Sequence, residues 1–338
     1  MTNVLYIGNK LNSKRSNLAS ISVLGPLLEQ EGFKLFYAST YNNKVRRMLD
    51  MLWSCIQYRK HIDVVLIDTY STQNFYYAFL VSLLCRSLKH KYVLSLNGGN
   101  LPSRLNYNPR LCSILFKPAS HLVSPSVYLK EAFASYGYNH VTYIPNSLQL
   151  EHYPYQEKSF DTIRLLWVRS FSEIYNPSLA VHVLKRLQDA GYDSELCMVG
   201  PDTGDGSFQA TKMLAEDSNV TVRFTGKLPK AEWLALAADY NVFINTTNFD
   251  NMPVSVIEAM ALGLPIVSTN VGGMPYLIQN GKTGFLLPTD DAVAFERAII
   301  KMVLDVDRTQ EMAARARAMV EGFDWELVKR KWFAVLDM

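Results

Sequence analysis

The feature of the sequence that most constrains its fold is an alternation of short apolar runs with longer amphipathic segments, which occurs twice along the chain. Short runs rich in Val, Ile and Leu predict strands, whereas apolar residues at helical spacing predict the helices between them. In the first half the predicted strands are 4–7, 34–38, 63–68, 91–96, 121–126 and 141–145. In the second half they are 163–168, 195–200, 220–225, 242–247, 265–269 and 284–288. Strands that alternate with helices predict parallel βαβ units, and near-continuous apolar strands predict a sheet covered on both faces.

A polar, aromatic and irregular stretch at 150–162 separates the two sets of strands, and 338 residues exceed what one hydrophobic core usually serves. We therefore expect an α/β fold of two Rossmann-like, doubly wound parallel-sheet domains, spanning 1–150 and 151–322, followed by a last segment at 323–338. Ligands of such sheets bind outside the carboxyl ends of the strands. Two such edges that face each other would form a cleft between the domains.

The composition is that of a globular protein, with 49% hydrophobic and 19% charged residues. The four cysteines are scattered without metal-ligand spacing, which is typical of reduced thiols in the cytoplasm. The first residues show no basic segment ahead of an apolar run, so no signal peptide is expected. The most apolar stretch, 75–85, is too short to span a bilayer. We expect a cytoplasmic protein.

Charge is unevenly distributed along the chain. Residues 1–150 contain 16 Lys and Arg against 6 Asp and Glu, whereas the remainder contains 18 against 25. Either this is an ordinary solvated surface, or the first half meets an anionic partner: a membrane surface, a phosphate-bearing lipid or a nucleic acid. Basic clusters interleaved with aromatic residues occur at 9–17, 44–47, 58–61 and 89–91. No nucleic-acid-binding motif accompanies them, so we expect no nucleic acid and favour a peripheral position on the inner face of a membrane.

The segment 248–269 places one acid at the start of a mostly apolar helix and another inside it. Pro253 suits the first turn of this helix and Gly263 its end. The free amides at the helix start can hold a phosphate, and Glu258 lies about 7 Å further along the axis. Together with Asp250, this arrangement would suit a ligand with hydroxyls at both ends and phosphate between them, such as a sugar nucleotide. In the alternative interpretation, Asp250 only caps the helix and Glu258 is an exposed helix acid.

The segment 250–288 also resembles the donor-site signature of retaining GT-B glycosyltransferases, specifically glycosyltransferase family 4. The shared features are two acids separated by seven residues, a small-residue turn "GLPIV", then "GGMP" and a closing "GKTGFL". Similar stretches are 123–153, 164–171 and 323–336, so the resemblance covers nearly the whole chain. It implies a GT-B fold in which the last helix crosses back onto the first domain, and an acceptor site in that first domain.

The resemblance implies donor-binding roles for Gly8, Arg169, Gly200, Asp250, Asn251, Met252, Pro253, Val254 and Glu258. Glu258 would hold the ribose hydroxyls, and Asp250 the hydroxyls of the transferred sugar. Arg169 would pair with the diphosphate, which a guanidinium binds in a bidentate manner. Residues 251–254 would contribute backbone amides to the sugar and the diphosphate. Arg169, Asp250 and Asn97 are the candidate catalytic residues.

The sequence departs from the family pattern at three positions. The first acid is usually glutamate, and here it is the shorter Asp250. A lysine usually follows the arginine onto the diphosphate, whereas this chain has Ile174 and Tyr175 in that neighbourhood. Many members have a histidine near 95–100, where Asn97 can donate a hydrogen bond to a sugar hydroxyl but cannot act as an acid or base.

We therefore expect a metal-independent, retaining hexosyltransferase-type enzyme of cell-surface polysaccharide or glycolipid synthesis. Its partners would be a nucleoside diphosphate sugar and a saccharide or lipid-linked acceptor, with no cofactor. Three alternatives remain open: a sugar-nucleotide epimerase of the same fold, a non-catalytic sugar-nucleotide-binding subunit, and a nucleic-acid-binding protein. A dinucleotide oxidoreductase is disfavoured because no GxGxxG follows a strand. The sole D-x-D motif, at 305–307, lies at a predicted helix end rather than near the expected site.

Overall fold

The computed structural model of the chain describes residues 2–11 and 19–337 and divides into two compact units. The first unit extends through Asn146 and also contains the chain from Glu326 onward, and the second is Ser147–Trp325. Each unit contains a six-stranded, parallel sheet. The predicted fold class, two doubly wound α/β domains, is therefore confirmed.

The first unit alternates strands and helices from its start. Its strands are β1 (Asn3–Ile7), β2 (Lys34–Ala38), β3 (Val64–Thr69), β4 (Lys91–Leu96), β5 (His121–Ser124) and β6 (Val141–Tyr143). Its helices before the second unit are α1 (Ser20–Gln30), α2 (Lys44–Gln57), α3 (Asn74–Ser87), α4 (Leu101–Tyr107), α5 (Pro109–Phe116) and α6 (Val127–Ser135). All six residues of β3 are buried, as expected for a parallel strand covered on both faces.

The second unit repeats the pattern. Its strands are β7 (Ile163–Val168), β8 (Ser194–Val199), β9 (Val222–Gly226), β10 (Val242–Asn245), β11 (Ile266–Thr269) and β12 (Phe285–Leu287). Its helices are α7 (Pro177–Asp189), α8 (Ser207–Asp217), α9 (Lys230–Ala237), α10 (Val254–Ala261), α11 (Met274–Leu277), α12 (Ala292–Leu304) and α13 (Val306–Glu321). The last helix, α14 (Trp325–Leu336), begins at the end of this unit.

The order of the strands decides where each sheet can bind a ligand. The first sheet has the order β2-β1-β3-β4-β5-β6, and the second β12-β11-β10-β7-β8-β9. The direction of winding therefore reverses between β1 and β3 in the first sheet, and between β7 and β10 in the second. In doubly wound sheets the crevice at such a switch point, outside the carboxyl ends of the strands, is the usual ligand site.

Local sequence signals set several helix boundaries. The side chain of Asn43 caps α2 by accepting hydrogen bonds from the amides of Val45 and Arg46, both at 3.0 Å. Asp305, in the D-x-D motif, likewise caps α13. The sequence predicted one short helix near 109–116, whereas the structure contains α4 before it. No helix in the described part of the chain has the length and apolarity needed to cross a membrane.

All of helix α14 except its first residue, Trp325, belongs to the first unit. Lys329 pairs with Glu31 at 3.1 Å, and the rings of Phe333 and Phe33 have centroids 5.5 Å apart. Asp337 accepts a hydrogen bond from the hydroxyl of Thr2 at 2.5 Å. The C-terminal segment thus contributes to the N-terminal unit through apolar and charged contacts.

Candidate functional site

The candidate site of the second unit lies at the switch point of its sheet. Arg169 directly follows β7, and the loop 246–253 follows β10, the neighbouring strand. Because both strands are parallel, their carboxyl ends open at the same edge of the sheet. The topology therefore brings together two segments that are about 80 residues apart in the sequence.

Arg169 and Asp250 form an ion pair across this switch point, between Nη2 and Oδ2. Both side chains are largely buried, and the guanidinium also stacks on the ring of Tyr175, 4.7 Å from its centroid. Asp250 Oδ1 accepts a hydrogen bond from the amide of Asn251 at 2.8 Å. Burial lowers the pKa of Arg169 from its ordinary value, but an arginine still carries its charge at neutral pH.

The ion pair leaves hydrogen-bonding capacity unused. Within the described residues, Arg169 Nε is buried without a hydrogen-bond partner, and Arg169 Nη2 and Asp250 Oδ2 have only each other. Buried charged groups are costly unless their donors and acceptors are satisfied. This arrangement is typical of a site whose hydrogen bonds are completed by a ligand.

A glycine pair supports the loop that holds Asp250. The amide of Gly273 donates to the Asp250 carbonyl at 2.9 Å. A Cβ atom at Gly272 or Gly273 would overlap the carbonyl oxygen of Asp250 or Asn251, respectively. The "GG" motif therefore fixes the backbone between β10 and α10 by close approach.

Helix α10 starts directly after this loop, and Pro253 flanks it at the N-cap position without side-chain capping. Among the described residues we find no hydrogen bond from the amides of Val254 and Ser255, and the buried Ser255 Oγ also has no partner. The start of α10 thus presents unpaired donors at the positive end of the helix dipole.

Glu258 lies on the second turn of α10 and is 5% exposed, so it is not the exposed helix acid of the alternative interpretation. Its Oε1 accepts a hydrogen bond from the Tyr153 hydroxyl at 2.9 Å and contacts the ammonium of Lys230. Tyr153 is held in turn by Arg317, which donates to its carbonyl at 2.6 Å. Two side chains therefore orient this buried carboxylate.

Lys230, at the start of α9, is a site residue that the sequence did not predict. Its ammonium lies 5.2 Å from the Tyr153 ring centroid, in addition to its contact with Glu258. Burial lowers the pKa of Lys230 to about 8, while the adjacent carboxylate favours the charged form, so the ammonium persists near neutral pH. The switch point therefore has a lysine as well as an arginine, although the lysine comes from a different element than the family pattern indicates.

The other predicted residues of the second unit lie in two places. Asn251, Met252 and Pro253 are buried in the loop before α10, whereas Val254 is exposed. Gly200 follows β8 and packs against the carbonyl of Arg169, and its amide donates to Gly226 O at 2.9 Å.

Gly8 and Asn97 belong to the first unit, where they follow β1 and β4. Both neighbour the carboxyl group of Asp68, which the sequence analysis did not single out. Their roles toward a donor or an acceptor stay predictions.

Comparison with known proteins shows what this chain is similar to. The family model described as glycosyl transferases group 1 matches residues 155–319, which is nearly all of the second unit. The WcaL protein of Escherichia coli K12, described as a colanic acid biosynthesis glycosyltransferase, is 33% identical over 124 residues, 34% of this chain and 30% of that protein. The amylovoran biosynthesis glycosyltransferase AmsK of Erwinia amylovora is 26% identical over 183 residues, 52% of this chain and 44% of AmsK. The matched regions thus span less than half the length of either relative.

A solved structure extends the likeness to both units. The Anabaena protein Alr3699/HepE in complex with UDP-glucose matches with a TM-score of 0.79 at 16% identity, covering 100% of both chains. This likeness shows the fold, which is that of the GT-B glycosyltransferases. The second unit is thus similar to the glycosyl transferases group 1 family over residues 155–319.

Proposed function

We propose that the chain transfers a sugar from a nucleoside diphosphate sugar to a saccharide or lipid-linked acceptor, in the synthesis of a cell-surface polysaccharide or glycolipid. The observation that carries this proposal is the grouping of Arg169, Asp250, Lys230 and Glu258 around the start of α10. WcaL and AmsK, two relatives of this chain, are named for polysaccharide biosynthesis, which supports the choice of product class.

The diphosphate would bind between Arg169 and the start of α10. A phosphate can accept from the unpaired Nε of Arg169 and can replace Asp250 at Nη2, and the amides of Val254 and Ser255 can donate to other oxygens. As the bond between sugar and phosphate breaks, negative charge grows on the leaving nucleoside diphosphate. Donors already fixed in place stabilise this charge without reorganising, which is a large source of catalysis.

The two acids would bind hydroxyl groups at opposite ends of the donor. Glu258 would accept hydrogen bonds from the ribose, because Tyr153 and Lys230 hold its carboxylate in one orientation. Asp250 would accept from the transferred sugar once phosphate replaces it as the partner of Arg169. The family resemblance favours a reaction that retains the configuration at the anomeric carbon.

We propose that no metal ion takes part. Arg169, Lys230 and the helix amides supply the positive charge that would stabilise the diphosphate. In other enzymes that bind phosphorylated substrates, a divalent cation supplies this charge. Donor turnover should therefore persist in excess EDTA.

We also propose that the first unit binds an anionic membrane surface through helix α2. Val45, Leu49, Trp53 and Ile56 lie along one face of this helix and are 39–62% exposed. The basic clusters 44–47 and 58–61 lie at its two ends. A row of apolar side chains with a tryptophan, flanked by cations, suits the boundary between lipid headgroups and acyl chains. Of the basic cluster 9–17, residues 12–17 lie outside the described residues.

Vesicle sedimentation tests the membrane proposal. The wild type is expected to sediment with vesicles that contain anionic phosphatidylglycerol and much less with neutral phosphatidylcholine. The double variant Leu49→Ser/Trp53→Ser should lose most of this binding, whereas Tyr107→Ser, which removes another exposed aromatic ring of the same unit, should retain it. Equal sedimentation of all three proteins would contradict the assignment of α2.

The function itself is tested by turnover of the purified chain. A panel of radiolabelled UDP-, GDP- and ADP-sugars should reveal one class of donor that is slowly hydrolysed, because water can act as acceptor. Binding of a donor with no turnover, even with added membrane extract, would favour the non-catalytic subunit. Conversion of the free donor to its epimer would favour the epimerase.

A further inference from the structure

The second unit contains an open groove away from its switch point, which we call the α12–α13 groove. One wall is the segment 157–161, and the other is the junction of α12 and α13. Because 157–161 leads into the first residue of β7, the groove lies at the amino edge of the sheet, opposite the edge where the donor would bind. Its volume of about 420 Å³ is large enough for a bulky side chain of a partner.

Both walls of the groove are held in place by buried hydrogen bonds. The buried Asn241 donates through Nδ2 to the carbonyl oxygen of Ser159 at 2.7 Å, and the buried Lys158 donates through Nζ to the carbonyl oxygen of Ala238 at 3.1 Å. The hydroxyl of Thr309 in α13 donates to a carbonyl oxygen in the last turn of α12 at 2.9 Å. A partner therefore meets a surface that is already ordered, which lowers the entropic cost of binding.

The groove combines an apolar lining with an acidic rim. Three apolar side chains contribute to its lining: Phe160, Val303 and Val306. Leu304, between two of them in the sequence, is 74% exposed. The wall segments 157–161 and 303–311 contain five acids against two basic residues, and one of those two, Lys158, is buried. The groove is therefore suited to an apolar surface that also carries positive charge.

Helix α2 of the first unit presents a surface with this chemistry. Its row of apolar side chains, which includes Leu49 and Trp53, is 39–62% exposed. The segment 44–60 contains five basic residues against one acid. Contiguous apolar surface of this kind is uncommon on a monomer in water unless a partner or a membrane covers it. The α2 face and the α12–α13 groove are thus complementary in both charge and apolar character.

We propose that, away from a membrane, α2 of one copy of the chain docks into the α12–α13 groove of a second copy. The ring of Trp53 would enter the groove, because a buried aromatic side chain is the usual anchor of an interface. The basic residues at the two ends of α2 would lie against the acidic rim.

This contact is head-to-tail, because it joins two different surfaces. A copy that uses its α2 leaves its own groove open to a further copy. The inference goes beyond the proposed function, and it makes self-association and membrane binding mutually exclusive at any one α2.

Sedimentation velocity tests the proposal. The average mass of the wild type should rise above the 38.4 kDa of one chain as its concentration is raised over about 1–100 μM. The α2 variant Leu49→Ser/Trp53→Ser and the groove variant Asp161→Lys/Leu304→Ser should each weaken the association about tenfold or more. Both change exposed side chains only, and circular dichroism checks that each variant folds.

A matched control changes another face of the second unit. Met213→Ser/Glu216→Lys removes one exposed apolar side chain and reverses one exposed acid on α8, as the groove variant does on its two walls. It should associate as the wild type does. Raising NaCl from about 0.05 M to about 0.5 M should weaken the association of both proteins several-fold, because the charges of α2 and of the rim are exposed to solvent.

Mixing the two defective variants distinguishes this interface from a symmetric one. The α2 variant keeps an intact groove, and the groove variant keeps an intact α2. An equimolar mixture should therefore form a species that stops at two chains, although neither variant associates alone. A symmetric contact between two α2 helices would not be restored in this way.

Three outcomes would overturn the proposal: a wild type that stays monomeric over the whole concentration range, a groove variant that associates as the control does, or a mixture that stays monomeric while the wild type associates. None of them involves a nucleotide sugar or a vesicle. Donor turnover and vesicle binding therefore test the proposed function separately.

Discussion

The two sheets of this protein share a doubly wound architecture but carry different chemistry at their switch points. In the second unit, two ion pairs, Arg169–Asp250 and Lys230–Glu258, surround the start of a helix. In the first unit, one carboxyl group, Asp68, is surrounded by hydroxyl, amide and backbone groups. The fold fixes where a ligand can bind, and the side chains at the strand ends decide which ligand chemistry is stable there.

The net charge of each half of the sequence differs in sign from charged side chains found at its switch point. The first half of the sequence is basic, and basic residues of its α2 region flank an exposed apolar face, yet Asp68 at its switch point is a buried acid. The second half is acidic, yet its switch point contains Arg169 and Lys230. Net charge therefore bears on long-range attraction, whereas the local site determines the ligand.

The largest expected effect concerns the charged switch point. Arg169→Ala should lower turnover about 100- to 1,000-fold, because the leaving diphosphate loses its preorganised guanidinium. Arg169→Lys keeps the charge without the fork of donors and should recover part of the loss. Turnover is measured by donor hydrolysis, with circular dichroism as the check on folding. Near-normal turnover of Arg169→Ala would remove this residue from the mechanism.

The switch point of the first unit should instead affect stability as a function of pH. The pKa of Asp68 is raised to about 7 in the folded protein because burial disfavours its charged form. This penalty is absent below pH 4, where the carboxyl group is neutral in both states, and it destabilises the fold increasingly as pH rises to about 7. Asp68→Asn removes this penalty, so it should stabilise the protein by on the order of 2 kcal/mol at pH 8 and hardly at all at pH 4. Urea unfolding at both pH values measures the difference. An equal effect at both would show that Asp68 has an ordinary pKa.

A smaller effect is expected from the lysine that the sequence analysis missed. Lys230→Met keeps the aliphatic stem but removes the charge beside Glu258, and should weaken nucleotide binding about tenfold. Lys282→Met makes the same change at an exposed lysine of the same unit and should leave binding unchanged. Isothermal calorimetry with the preferred nucleotide measures both variants. If they bind equally, Lys230 only neutralises Glu258 and has no role toward the ligand.

The smallest effect is expected from metal removal. If the cations of the second unit's switch point are sufficient, excess EDTA should change donor turnover by less than about twofold. Restoration of a lost activity by Mg²⁺ or Mn²⁺ would contradict the metal-independent mechanism.

The sequence was enough to predict the twelve strands, because runs such as 63–68 and 163–168 are apolar, rich in branched residues and bounded by turn signals. It could not give the strand order, since the pairing of β7 with β10 joins segments separated by two intervening strands. For this reason the switch points emerge only from the structure.

The candidate site was predictable where its residues lie in one segment. Asp250 and Glu258 flank one helix start and form a recognisable motif. Lys230 was missed because its partner Glu258 is on another helix, and only tertiary packing joins them. Asp68 was missed although a signal existed: it is a single acid near the end of an otherwise apolar strand.

The central claim is that the start of α10, with its two acids, binds a nucleoside diphosphate sugar, and thermal-shift titration tests it most directly. One class of nucleoside diphosphate sugar should raise the melting temperature of the wild type and of Glu232→Ala, an exposed acid on α9 that serves as the control. The shift should be strongly reduced in Glu258→Ala. If no nucleotide sugar changes the melting temperature of the wild type, or if Glu258→Ala responds as the wild type does, the assignment of this site is wrong.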